Sequence, residues 1–534
     1  MLDSIGYSSW VLTFLIFFPA IAAVAVFSAP ERLAKQIALW SAVIELLVSI
    51  PLWFVFSTAT GAMQFTAGAA WIPQWGISYS VGIDGISMLL LLLTTFMAPI
   101  TILGSFRYIE KKQKAFYAML LLLQVGVLGV FCALDLFLFF MFWEVMLVPM
   151  YFIIGIWGGE RRIYAAIKFF LYTASASLLM LVGIMYLYFK YHAVTGGLTF
   201  EYSDLLQVPL SNLEQYWLFG AFALAFAVKI PLFPFHTWLP DAHVEAPTPG
   251  SVVLAAVLLK MGAYGFLRFL LPLFPHAATH PTIVAVMLVL AVIGIIYAAW
   301  VAAVQPDAKK LVAYTSVAHM GFVVLGIFAL TVQGIQGAMI VMLSHGLSTG
   351  AMFLLIGMLY ERRHTRAIAD FGGLAAVAPV FAAIFIFTAL VSIGLPGTSG
   401  FIGEFLALLG TFQTHPYIAV VASTGVIFAA YYMLPMVQKI WFNKLDKPAN
   451  ETMPDLSRRE LTVLVPLVVF MIWMGFYPKP FLDRAKVTVT ELIDLVEERS
   501  APVFGSLPNS TTAVSPLAVP TTTPPVTATP AEAH

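Results

Sequence analysis

The chain has 534 residues, of which 61% are hydrophobic and 10% charged, and its 27 basic and 27 acidic side chains balance to zero. Apolar runs of about 20 residues recur along the whole length, as needed to cross a roughly 30 Å hydrocarbon core, so the composition defines an all-α, polytopic membrane protein. A neutral chain without a basic face excludes nucleic acid as a partner, and the single cysteine, Cys132, with no CxxC or His/Cys cluster, excludes disulfides, iron–sulfur clusters and structural zinc.

Met1 to Trp10 holds no positive charge and no small-residue cleavage site before a long apolar run, which reads as an uncleaved first helix. About fourteen spans are predicted: 10–29, 36–56, 84–105, 115–133, 134–157, 164–189, 216–238, 249–271, 281–304, 310–330, 335–360, 378–412, 416–442 and 461–477. Gln64 to Asp84, with Gly68, Pro73 and Gly76 between alternating residues, reads as an external hairpin. Val489, Leu492, Ile493 and Val496 fall at helical spacing, so Asp483 to Glu498 is expected to form an amphipathic helix on the outer surface. From Ser500 onward the aperiodic Pro/Thr/Ala composition predicts a disordered tail.

Charge placement orients these spans. Loops after odd-numbered spans carry Arg32, Lys35, Arg107, Lys111, Lys112, Lys114, Arg161, Arg162, Lys309, Arg362, Arg363, Arg366, Lys444, Lys447, Arg458 and Arg459. Loops after even-numbered spans carry little beyond Lys190 and Arg268, for which snorkelling near helix ends suffices. The positive-inside rule then makes the odd loops cytoplasmic and puts both termini outside, with a bacterial plasma membrane as the expected setting.

Two spans look broken. The seventh contains Val228-Lys229-Ile230-Pro231-Leu232 followed by Pro234, and the twelfth Val391-Ser392-Ile393-Gly394-Leu395 followed by Pro396 and Gly397. Lying five spans apart, they run in opposite senses, the sequence pointer to two inverted five-helix repeats with a working site between them. The expected organisation is helices 1–3 with the hairpin (1–114), a first repeat (115–275), a second repeat (276–442), helix 14 with the amphipathic segment (443–499) and the tail (500–534).

Ionisable residues inside the spans carry the functional argument. Glu144, Lys168, Lys229, Lys260 and Glu404 each lie in an apolar run, where a charged side chain costs roughly 2.5–3.5 kcal/mol on insertion scales, so they must pair or face water. The bland alternative is a set of structural ion pairs. Three lysines against two glutamates, helix breaks near some of them, and His236, His319 and His345 in the intervening spans favour a proton path, because imidazole exchanges protons near neutral pH.

The motifs then match a family. Phe142-Trp143-Glu144 with Pro149-Met150-Tyr151, the run Ile154 to Arg162 with Lys168 to Thr173, the run Lys229 to Thr248, and Tyr360 to Arg366 with Gly372-Gly373 resemble the antiporter-like membrane subunits of respiratory complex I, the proton-pumping NADH:quinone oxidoreductase, and most closely those of the subunit M type. The resemblance covers residues 1 to about 485. It implies that Glu144 pairs with Lys229, that Lys168 modulates this pair, that Lys260 is the central lysine of a hydrated axis, that His319 and His345 lie along it, and that Glu404 is the terminal acid. His236 and Asp241 fall within the motif with roles less clear.

It also implies that NADH, FMN, iron–sulfur clusters and quinone belong to other subunits and none to this chain, whose partners are the sister membrane-arm subunits and the lipid bilayer. Withdrawing an anion from about 4–6 Å destabilises a buried ammonium by about 1.4–4 kcal/mol. Moving one charge across 100 mV takes about 2.3 kcal/mol, so the coupling is large enough to lift a proton. A subunit of a multi-subunit cation/proton antiporter or of a membrane-bound hydrogenase is the rival reading, with a passive scaffold as the third. Glu45, in the second span, and Asp135, at the fourth-to-fifth junction, have no assigned role.

Overall fold

The computed structural model describes residues 6–500, so the expected tail from residue 501 onward lies outside the described residues. Short one-turn pieces aside, the chain runs α1 (Tyr7–Ser28), α2 (Glu31–Val55), β1 (Gln64–Ile72), β2 (Ile77–Ile83), α3 (Gly85–Gly104), α4 (Gln113–Cys132), α5 (Leu136–Trp157, with a turn at Met146) and α6 (Arg162–Thr195). It continues through α7 (Asn212–Lys229), α8 (Trp238–Glu245), α9 (Thr248–Leu273), α10 (Pro281–Ala303), α11 (Ala308–Phe328) and α12 (Val332–Arg363). The last helices are α13 (Pro379–Ile393), α14 (Ser399–Thr414), α15 (Pro416–Phe442), α16 (Arg458–Phe476) and α17 (Lys479–Ser500).

Helix starts follow side-chain chemistry. Asp84 with Ser87, Ser211 with Glu214, and Ser457 with Glu460 form capping boxes at α3, α7 and α16, satisfying backbone donors that have no intrahelical acceptor. Asp135, unassigned from the sequence, caps α5 through Leu138 N (2.9 Å) and also accepts from Ser78 N (3.1 Å), tying the antiparallel β1–β2 hairpin to that helix.

Among the described residues, twelve helices are long and apolar enough to cross a membrane. The two expected spans missing from that set are 216–238 and 378–412, and each is a pair of helices flanking a break. The first break follows Lys229, where Pro231 and Pro234 offer no N–H. The Trp238 indole donates to Val228 O at 2.8 Å, satisfying a carbonyl of the last turn of α7. The second follows Ile393: Gly394 takes a left-handed φ of +82°, and a Cβ on Gly400 would stand 2.1 Å from Val391 O, so only glycine lets the two half-helices approach this closely.

The inside is set by α9, α11 and α12, whose residues are almost all buried, whereas α1, α2, α6 and α15 present exposed apolar side chains such as Ile21, Leu47, Val182 and Ile427. α12 packs against α9, α11, α14, α16 and α17. α17 extends beyond the expected 483–498, and its apolar face turns onto the protein rather than lying free: Val489 and Val496 are buried, and the helix packs on α3 and α12.

Two expectations about basic residues need correction, and a third residue gains a partner. Arg268 does not snorkel. It is buried, bonded to the Asp84 carboxylate and, at 3.2 Å, to Tyr264 Oη, because its position on α9 faces the protein interior. Lys309, counted with the solvent loops, is buried at the start of α11 with its Nζ on Ala246 O. Lys190 lies at a helix end as expected, but pairs with Glu214 at 2.6 Å.

Candidate functional site

Four of the sequence-selected residues form a file through the interior. Lys260, on α9, follows a π-helical stretch, Leu254–Leu258, and its Nζ donates to Ala255 O within that widened turn. The same Nζ lies 2.6 Å from His345 Nδ1 on α12. The His345 ring meets that of His319 on α11, with centroids 5.7 Å apart, and His319 Nδ1 lies 3.0 Å from Glu404 Oε1 on α14. Exposure runs from 0% at Lys260 to 7% at His319, so lipid and bulk water are both excluded. The Nε2 atoms of both histidines have no protein partner, and His319, His345, Ser344, Ser348, Ser392 and Glu404 surround a cavity of about 10 Å³, close to the size of one water. Such a row can pass a proton between helices by exchanging donor and acceptor roles once a single water bridges the two imidazoles.

Lys229 and Glu144 are arranged differently. The expected direct ion pair is not formed: among the described residues no carboxylate lies within 4.0 Å of Lys229, and its Nζ instead points at Met146 Sδ (3.5 Å) with the rings of Trp143 and Phe169 at 5.3 and 5.8 Å. Glu144 accepts from Ser177 Oγ of α6 and is half-buried. Helix geometry explains the separation, since Trp143 and Met146 are three residues apart and share the face that brackets Lys229. Glu144 is turned about 100° from Trp143, towards α6.

Lys168 is likewise not on Glu144; it pairs with Asp241 of α8 at 2.7 Å, which gives that motif residue a partner the sequence did not reveal. His236 is buried in the first break against Phe233 and Tyr297, and its Nδ1 has no partner. Sequence reasoning did not select His243. It lies fully buried on α8, stacked on Phe353 of α12, with neither ring nitrogen bonded and with Lys309 and Lys260 within electrostatic reach. The only available signal was a second histidine in a run already marked by Lys229 and His236.

A multi-helical membrane protein with interrupted helices and a buried Lys–His–His–Glu file is the class that fold and site define. Residues 133–429 match the family described as NADH:quinone oxidoreductase/Mrp antiporter, TM, and residues 11–129 match NADH-ubiquinone oxidoreductase chain 4, amino terminus. NADH-quinone oxidoreductase subunit M of Rhodobacter capsulatus is 47% identical over 87% of this chain and 91% of its own length, and the Escherichia coli K12 subunit M is 45% identical over 85% and 92%. Among solved structures, a chain of respiratory complex I from Thermus thermophilus superposes with a TM-score of 0.83 at 32% identity, covering 91% of this chain and 99% of that one. A chain of the Mrp complex from Dietzia sp. DQ12-45-1b, at 20% identity, TM-score 0.79 and coverage of 92% and 99%, shares the fold. The chain therefore belongs to the NADH:quinone oxidoreductase/Mrp antiporter membrane-subunit family, on its subunit M (chain 4) branch.

Proposed function

We infer that this chain is a proton-translocating membrane subunit of an NADH:quinone oxidoreductase, moving protons along the file Lys260–His345–His319–Glu404 under the control of Lys229 and Glu144. The observation that carries the reading is the gathering of those four side chains from α9, α12, α11 and α14 into one buried row, with Lys260 on His345, the two imidazoles in ring contact and His319 on Glu404. Electron transfer from NADH through FMN and iron–sulfur clusters to quinone belongs to other subunits, and this chain acts as a member of the membrane arm. The matching breaks after Lys229 and Ile393 support two five-helix halves, 115–275 and 276–442, of opposite sense. The charge pattern of the loops supports both termini outside, and the Rhodobacter capsulatus and Escherichia coli relatives support a bacterial plasma membrane.

In the arrangement seen, Glu144 rests on Ser177 and leaves Lys229 supported by two ring faces and a thioether. That is a state of the pair without direct contact: Glu144 remains within electrostatic reach of Lys229, but it holds the ammonium less firmly than a carboxylate in contact would, so the proton is released more readily towards Lys260 than from a closed pair. Approach of Glu144 would restore it. Lysine suits this role because its charge can be discharged, whereas an arginine would stay protonated.

His345→Leu in the assembled complex tests the reading, since it removes the imidazole between Lys260 and His319 without adding charge. In proteoliposomes, acidification per NADH oxidised should fall by at least about fivefold, a floor below the roughly 10²–10⁴-fold that one general acid–base group contributes. An unchanged ratio would make the file a set of structural contacts.

A further inference from the structure

The second helix holds a buried carboxyl that the path above does not use. The inward stripe of α2 is Ala34, Ala38, Ala42, Glu45, Ser49 and Leu52, at three- and four-residue steps, so the glutamate stands among small and apolar residues on one face. Glu45 is 1% exposed. Its Oε2 accepts one bond, from Gln124 Nε2 of α4 at 2.7 Å, while its Oε1 meets no polar group of the protein. Among the described residues no cation stands within ion-pair distance of it. A carboxyl so placed is favoured as the neutral acid, which accepts through one oxygen and needs an acceptor for the O–H on the other.

Gln124, Thr94 and Thr101 are the polar residues lining a cavity of about 30 Å³, large enough to hold water, whose remaining wall is apolar and includes Leu120, Val253 and Val257. The two threonine hydroxyls donate to their own helix, at Leu90 O and Met97 O, which leaves their oxygen lone pairs as acceptors. Val253 precedes and Val257 belongs to the π-helical stretch whose Ala255 carbonyl accepts from Lys260 Nζ. The cavity thus lies between the amide that holds Glu45 and the turn that holds Lys260.

We propose that Glu45 is a proton-exchanging residue of the translocation path, joined to Lys260 through Gln124 and a water-holding cavity, and that it stores a proton while Lys260 is discharged. The step conserves charge: the Glu45 O–H bond breaks as water relays a proton to the neutral Lys260 amine, giving a carboxylate held by the Gln124 amide and an ammonium opposite it. It reverses when Glu45 is reprotonated. The proposal rests on the reading that protons pass through Lys260.

The test uses the complete complex in liposomes with Glu45→Gln, which keeps the side chain's shape and its bond to Gln124 but cannot release a proton. Lys260→Met serves as the reference. Acidification per NADH oxidised should fall by about twofold or more in Glu45→Gln, and the infrared difference spectrum of turnover should lose a carboxylic C=O band that shifts in D2O in the parent. An unchanged ratio in Glu45→Gln with a defect in Lys260→Met would overturn the Glu45 proposal and leave the Lys260 reading standing; unchanged ratios in both would overturn both. A lowered ratio with no lost carboxyl band would make Glu45 a positioning group and equally overturn proton exchange.

Discussion

The ionisable axis has two regions built on different principles. From Lys260 to Glu404, four helices contribute one group each to a single buried row, hydrogen-bonded at its two ends and joined in the middle by the ring contact of His345 and His319, beside a cavity about the size of one water. At Lys229 and Glu144, each group is held by something other than its expected partner: a methionine sulfur and two aromatic faces on one side, a serine hydroxyl on the other. On the proposed reading, a row that needs at most one bridging water equilibrates readily and holds a proton back poorly. Control therefore belongs at the gap, where a side-chain movement changes the energy of the ammonium.

Breaking the continuous region should give the largest effects. Lys260→Met removes the amine in contact with His345 and leaves a thioether in its place, so no proton can be held at that station. Turnover-linked acidification in proteoliposomes should drop by about a hundredfold, equivalent to some 2.7 kcal/mol on the limiting step. Retention of full acidification would show that the protons go elsewhere. Glu404→Gln should be milder, about tenfold. The amide keeps a bond to His319 but cannot take its proton, so the row survives and only its terminal acceptor is lost. If Glu404→Gln and Lys260→Met prove equal, the end of the row is as limiting as its centre.

How far these regions were legible from sequence follows from what each depends on. The breaks were readable because Pro231, Pro234, Gly394 and Gly397 act locally, and the helices followed because apolar periodicity and caps such as Asp84 and Ser457 do too. Lys260, His319, His345 and Glu404 were selected as buried groups, but their mutual contacts arise from the packing of α9, α11, α12 and α14, which no local pattern encodes. Arg268 and Lys309 were misplaced for the same reason: a basic residue near a span end can turn towards solvent or towards a carboxylate or carbonyl inside, and only tertiary packing decides. The Glu144–Lys229 contact was carried over from resemblance, and the rotation that sends Glu144 to Ser177 is a one-residue matter of helical phase.

The gap itself can be probed by the smallest change. Ser177→Ala deletes the hydroxyl that holds Glu144 and touches neither lysine, so its effect reports on where the carboxylate rests. A half-buried carboxylate that loses one hydrogen bond is destabilised there by about 0.5–1.5 kcal/mol, which shifts its distribution towards Lys229 by roughly two- to tenfold. With Glu144 spending longer beside Lys229, release towards Lys260 slows, and acidification per NADH should fall by about twofold, as only part of the shift reaches the limiting step. Ser177→Thr, which restores the hydroxyl, should return the parent ratio. If Ser177→Ala pumps as the parent does while Lys260→Met is defective, the resting place of Glu144 does not set the rate, and control must be sought at the Lys168–Asp241 pair or beyond this chain.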